Sequence, residues 1–231
     1  MDYSPLWISL ETAIISTIIT LILGMAAAAL VCRMRHFRGL VDSIFSLPLV
    51  LPPTVVGFLL LITFGKNSAF GRFLSGLGIN VVFTITGAVI ASAVVSFPVM
   101  YRTLRGAFEQ VDENLLNAAR TLGLSEFKVF IKIMVPEAGP GIIAAVILSF
   151  ARALGEFGAT IMIAGNIPGK TRTMSVAVYT AMQSGNRSLA FKWVSIILII
   201  SISTLCGMNY AMEIGKRRRM REKAVSEVSE E

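Results

Sequence analysis

The chain has 231 residues, of which 55% are apolar and only 15% charged; its net charge is +7 and its mean hydropathy is +0.73. Soluble domains carry about 45–50% apolar and about 25% charged residues, so this composition excludes an ordinary water-soluble domain. It fits one domain, residues 1–231, solvated largely by lipid. The basic residues lie in clusters between apolar stretches, which matches loops facing anionic headgroups and argues against nucleic acid as a partner. Cys32 and Cys206 form no C-x-x-C pair, and a single histidine cannot complete a cysteine–histidine metal set.

A membrane helix needs roughly 20 mainly apolar residues, and five stretches qualify. The first, about 7–31, has no basic residue before it and is too long for the apolar core of a removable signal, so it reads as a retained span. Glu11 near its outer end reads as exposed to interfacial water. The second, about 40–64, contains Pro48, Pro52 and Pro53, which together remove three backbone donors. That predicts a broken or kinked helix packed within protein, and makes the three prolines candidate path or gate residues.

The third stretch, about 81–99, carries Pro98 near its inner end, where an ordinary kink and a hinge are equally compatible. The fourth runs over about 141–164 and the fifth over about 190–212, followed by a basic and then acidic tail, 213–231. Gly24, Ala26 to Ala29, Gly87, Ala88, Ala91 and Ala93 permit close helix approach. The expected fold is therefore an all-α integral membrane bundle of five transmembrane helices, with lipid as a partner and no strands.

Lys and Arg set the orientation. Placing the N-terminus outside puts fourteen basic residues on the inner side. They are Arg33, Arg35 and Arg38, five from Arg102 to Lys132, and six from Lys216 to Lys223. Six then lie outside: Lys66, Arg72, Lys170, Arg172, Arg187 and Lys192. This favours an N-terminus outside and a cytoplasmic C-terminus.

The segment from about 101 to 136 is too polar to cross the membrane and reads as two short helices on the inner side. Asp112 can cap the first, and Gly123 stands where a C′ glycine would end it. Ser125 can cap the second, whose apolar face is Phe127, Phe130, Ile131 and Met134 at i, i+3, i+4 and i+7. Periodicity alone leaves two readings open: a helix pair lying on the headgroups, or a docking element entering a groove on a partner. Arg102 and Arg105, just past the third span, read as headgroup anchors. Arg152 and Glu156 sit four apart in the fourth span and can face each other, as a pair that pins helices or as a contact on a translocation path. The outer segment 165–188, with Lys170 and Arg172, suits a plain loop or a mouth that concentrates anions.

Asn117-Ala118-Ala119, three residues, Gly123, nine residues, then Ile133-Met134-Val135-Pro136 resembles the E-A-A-x3-G-x9-I-x-L-P loop of ABC-importer permeases. Asn117 replaces the usual Glu and Val135 the usual Leu. Further segments are similar to molybdate permeases: Leu47 to Gly57, Ala118-Ala119-Arg120-Thr121-Leu122-Gly123, Phe150 to Thr160, and Asn166 to Thr173. Tungstate and sulfate/thiosulfate permeases share much of this pattern.

The resemblance implies a permease of the type I importer kind in the prokaryotic inner membrane. It implies a homodimer of this chain on two cytoplasmic ATPase subunits, supplied by an extracytoplasmic oxyanion-binding protein. ATP and magnesium would then sit in the ATPase, with no cofactor and no catalytic or metal-ligating residue in this chain. Asn117, Ala118, Ala119, Arg120, Thr121, Leu122, Gly123 and Pro136 would couple to the ATPase.

The absence of a G-x-x-x-x-G-K-[ST] loop agrees with ATP chemistry elsewhere. Rival expectations are an importer permease for an amino acid or a metal ion, an ATP-independent channel or secondary carrier, and a membrane-bound enzyme. The last lacks any cluster of acid, base and nucleophile.

Overall fold

The computed structural model describes the backbone of residues 2–34 and 36–229, with side chains as far as Tyr210 and at Met212. Arg35, the side chains of the basic cluster 216–223, and Glu230 and Glu231 lie outside the described residues. Eleven helices follow in chain order: α1 (Ser4–Arg33), α2 (Arg38–Val50), α3 (Pro53–Phe64), α4 (Ala69–Gly76), α5 (Ile85–Glu109), α6 (Glu113–Thr121), α7 (Glu126–Glu137, with a π-helical turn at Phe130–Met134), α8 (Gly139–Leu154), α9 (Gly158–Ile163), α10 (Met174–Gln183) and α11 (Arg187–Ser229).

Among the described residues, three helices are long and apolar enough to cross a membrane: α1, α5 and the Arg187–Tyr210 part of α11. Two bent pairs are also long and apolar enough when taken together, α2 with α3 bent by 106° and α7 with α8 bent by 75°.

The first span is built inside out. Ser9, Thr12, Ala13, Ser16, Thr17, Thr20, Gly24, Ala27 and Ala28 are buried, while Ile14, Ile15, Ile18, Ile19, Ile22 and Leu23 face outward. In lipid the outward aliphatics cost nothing, and close contact between small residues drives association. Two of the buried hydroxyls are satisfied within the helix: Ser16 Oγ donates to Thr12 O at 2.6 Å and Thr17 Oγ1 to Ala13 O at 2.6 Å. Thr20 and Ser149 share a hydrogen bond of 3.3 Å between α1 and α8. Glu11 is exposed, as expected.

Three packing centres hold the bundle. Ala27, Ala28 and Val31 of α1 meet Met100, Tyr101 and Leu104 of α5 and Ala145 of α8. Val56, Ala88, Ala91, Ala159 and Ile163 join α3, α5 and α9. Ala13, Leu154, Met174, Ala177 and Trp193 join α1, α8, α10 and α11.

Three boundaries depart from the sequence-based expectation. The third span starts at Ile85, capped by Thr84, and runs through Pro98 to Glu109. Tyr101 and Leu104 are fully buried and Phe108 nearly so, so residues 101–109 belong to the span rather than to the loop. The fourth span does not reach 164. It stops at Leu154, and Glu156 Oε1 accepts from Ala159 N at 2.8 Å to start the separate helix α9. The last helix continues beyond 212 to Ser229, so the backbone of the expected tail is helical.

Helices α3 and α9 touch backbone to backbone at Gly57, where a Cβ would lie 2.7 Å from Ala159 Cα and 2.8 Å from Ala159 O. Gly106 on α5 meets open space. Gly57→Ala should therefore destabilise the protein by about 1–3 kcal/mol through overpacking. Gly106→Ala should stabilise it by about 0.5–1 kcal/mol by removing a helix-interior glycine. Thermal unfolding in detergent checks both: the first variant melts several degrees lower, the second at or above wild type.

Candidate functional site

Three residues after α5, Asp112 Oδ1 accepts from Asn114 N at 2.8 Å and starts α6, as its position predicts. The helix closes at Gly123, whose φ of +80° is the left-handed geometry a glycine adopts without strain. Gly123 N donates to Arg120 O at 2.9 Å and Leu124 N to Ala119 O at 3.2 Å, so the last carbonyls are satisfied. Leu116, Ala119 and Val129 form a small core between α6 and α7, with Leu124, Ile133 and Met134 against it. Asn117, Ala118, Arg120, Thr121, Leu122 and Pro136 are exposed.

The second helix differs from its sequence pattern in two ways. Ser125 precedes it but makes no capping bond. Its predicted apolar face also divides: Phe130 and Met134 pack against the bundle, whereas Phe127 and Ile131 point outward. Phe130 meets Phe108 edge-on, with centroids 5.6 Å apart. The π-helical turn at Phe130–Met134 widens the repeat and rotates the residues off a 3.6 period. The result is an outward apolar surface of Leu115, Leu122 and Phe127, with Leu122 82% and Phe127 74% exposed.

Charged residues brace this element. Arg120 Nη1 donates to Asn117 Oδ1 at 2.7 Å, and its Nε donates to Glu126 Oε1 at 2.7 Å. A carboxylate from α7 thus partners Arg120 beside the position where the motif usually has Glu. Arg33 at the end of α1 donates to Glu126 O at 3.3 Å and lies 3.7 Å from its carboxylate.

Arg102 and Arg105, expected as headgroup anchors, both have protein partners. Arg102 Nε donates to Ser46 Oγ at 2.9 Å, and Arg105 pairs with Asp42 while donating to Glu109 Oε1 at 2.8 Å. Their span extends past them and carries α2 alongside, which gives both guanidinium groups protein partners. The signal that the sequence pattern left unused was Asp42, a carboxylate inside an apolar stretch.

The second crossing breaks where its prolines predict. Leu51 and Pro52 are extended, and Pro53 opens α3. Val50, at the end of α2, is 81% exposed. Pro53 and Thr54 lie against Gly158, where a Cβ would sit 3.0 Å from Pro53 Cβ and 3.2 Å from Thr54 N. The proline break and the α8–α9 break therefore adjoin.

At the second break Arg152 Nη1 donates to Glu156 Oε2 at 2.7 Å. Glu156 is 2% exposed, whereas the Arg152 side chain is 32% exposed. The carboxylate is thus doubly satisfied, and the guanidinium has an open edge. Pro48 lies apart, lining an apolar cavity of about 320 Å³ with Thr20, Phe45 and Phe97. At the other end of α1, Arg172 Nε donates to Asn166 Oδ1 at 2.6 Å and Asn166 Nδ2 to Thr180 Oγ1 at 3.0 Å.

The Arg120 guanidinium, by hydrogen bonding, holds the Glu126 carboxyl below its ordinary value of 4.5. A carboxyl whose folded value is depressed adds stability that is present above the ordinary value and lost as pH falls through the folded one. Glu126→Gln should thus loosen the helix pair at neutral pH, and the difference from wild type should vanish as pH falls below 4.5 and through the depressed folded value. A spin label at Leu122→Cys, with Cys32 and Cys206 replaced, reads this as label mobility.

The family model described as binding-protein-dependent transport system inner membrane component matches residues 12–217. YvgM of Bacillus subtilis (strain 168) is 47% identical over 205 residues, 88% of this chain and 90% of that protein. The molybdenum transport system permease protein ModB of Escherichia coli (strain K12) is 41% identical over 220 residues, 94% and 96% of the two chains. The sulfate transport system permease protein CysT of the same strain is 35% identical over 203 residues, 87% and 73%. Among solved structures, an inward-facing MetNI methionine ABC transporter chain shares the fold with a TM-score of 0.71 at 16% identity, covering 91% of this chain and 94% of that one. With its apolar helices and broken spans, the chain belongs to the family of inner membrane components of binding-protein-dependent transport systems.

Proposed function

We propose that this chain is the transmembrane permease subunit of an ATP-binding-cassette importer whose cargo is molybdate. The observation that carries it is the capped α6–α7 pair with its outward Leu115, Leu122 and Phe127, in a chain 41% identical over 94% of its length to a molybdenum permease. A short amphipathic helix with an apolar outer face suits the groove of a soluble partner. Two copies of the chain stand on two cytoplasmic ATPase subunits that hold ATP and magnesium, and an extracytoplasmic binding protein delivers the oxyanion. The N-terminus lies outside and the helix pair inside, following the distribution of Lys and Arg.

In this reading α6 and α7 take up ATPase movement, and the adjoining breaks at Pro52–Pro53 and Gly155–Phe157 line the path. Backbone outside a regular helix is tolerated at membrane depth where protein or water satisfies it. Arg152, already neutralised by Glu156, offers the dianion a temporary contact rather than a trap, as conduction requires. The relationship to CysT keeps sulfate as the alternative cargo, with tungstate the third.

Coexpression with a candidate ATPase tests the docking. Gly123→Pro combined with Ala119→Glu removes the Gly123 N–H bond, forbids φ of +80°, and places a carboxylate in the buried α6–α7 contact. Wild type should retain the ATPase in detergent and the variant should release it while its spans stay folded. Equal retention rejects the helix pair as the dock. In proteoliposomes with the ATPase and the binding protein, radiolabelled molybdate uptake should require ATP, and competition by tungstate and sulfate ranks the cargo.

A further inference from the structure

Helix α2 has almost no buried face of its own: among its residues only Ser46 is buried. Its attachment is to the last turns of α5. The Phe45 ring meets Phe97 edge-on at 5.6 Å and Tyr101 at 5.2 Å. The Tyr101 hydroxyl, on a fully buried residue, donates to Asp42 Oδ1 at 2.8 Å. Arg105 pairs with the same carboxylate, Arg102 holds Ser46, and Glu109 accepts from both Arg38 and Arg105. Every one of these α5 partners lies between Phe97 and Glu109, and four residues later α6 begins.

On its other side α2 is nearly detached. Pro52 and Pro53 have no N–H, so neither can donate across the break to a carbonyl of α2. Val55 N and Val56 N both turn back to Pro52 O. The following helix, α3, belongs to a different packing centre with α9. Thus α2 is hinged at its Val50 end and fastened at its Arg38 end to the helix that leads into the docking pair.

We infer that Asp42 is a positioning residue that makes α2 move with α5, so that a displacement of α6 is delivered to the Val50–Pro53 break. The inference rests on the importer function proposed above. The Asp42 and Arg105 side chains are 25% and 23% exposed, sheltered enough that removing one charge leaves its partner poorly compensated. Without the carboxylate, α5 and α6 can still follow the ATPase, while α2 no longer follows α5.

The test uses the complete complex of permease, ATPase and binding protein in proteoliposomes, with molybdate uptake and ATP hydrolysis measured together. Wild type must first show ATP-dependent uptake; if it shows none, the importer reading itself falls. In a working wild-type complex, Asp42→Asn should keep the ATPase bound and hydrolysis within about twofold, with uptake falling about tenfold, a loss of the size that one lost charge contact produces. A tether then separates transmission from simple packing. In a background without Cys32 and Cys206, Asp42→Cys with Arg105→Cys should show the same uncoupling, and a short bifunctional cross-linker between the two thiols should restore uptake. An unchanged ratio of uptake to hydrolysis in Asp42→Asn overturns the inference. So does parallel loss of ATPase retention and both activities, or a cross-link that abolishes uptake, which would mean that α2 and α5 separate during the cycle.

Discussion

In hydrocarbon no water is available to backbone N–H and C=O groups, so every turn of chain that leaves a helix must be satisfied by protein. That constraint accounts for the order of packing in this bundle. The unbroken α1 and α5 form its centre, with small and hydroxyl side chains between them and the aliphatics turned outward. A Cβ on Gly24 would lie 2.9 Å from Met100 Cγ, which shows how close the two helices run. The bent pairs are arranged around that centre, where their irregular backbone has protein to meet.

The same constraint explains why the two breaks sit together. The chain leaves helical geometry at Leu51–Pro52 and again at Gly155–Phe157, and Gly57 and Gly158 let the short helices that follow touch through their backbones. Glu156 supplies what the second break lacks, by accepting from Ala159 N while Arg152 neutralises its charge. A buried carboxylate with one partner fewer would be costly. The pair is therefore structural in its geometry.

Much of this was legible in the sequence, for local reasons. The five apolar stretches, the broken second span, the Asp112 cap and the left-handed Gly123 each follow from residues within a few positions of one another. What was not legible depends on distance or on backbone irregularity. Residues 101–109 look polar enough for a loop, yet Asp42 and Ser46, 59 and 56 residues away in sequence from their partners, bond to Tyr101 and Arg102 and hold α2 along this stretch. The split of Phe130 and Met134 from Phe127 and Ile131 comes from a π-helical turn, which no 3.6-residue pattern contains. Helix α8 ends at Leu154 and a carboxylate within an apolar run starts the next helix, a place where composition argues for continuity.

Charge shows the same division between what a count reveals and what it hides. Lys and Arg abundance orients a membrane chain whether or not each cation is paired, because the bias acts on loops during insertion. In the folded protein Arg33, Arg38, Arg105 and Arg120 are all engaged by Asp42, Glu109 or Glu126. The same cations therefore act individually as braces: Arg120 holds α6 to α7, Arg33 holds α7 to α1, and Arg38 and Arg105 hold α2 to α5. Exposed ion pairs contribute little stability singly. Linked through shared carboxylates at the junction of three helices, they fix relative position instead.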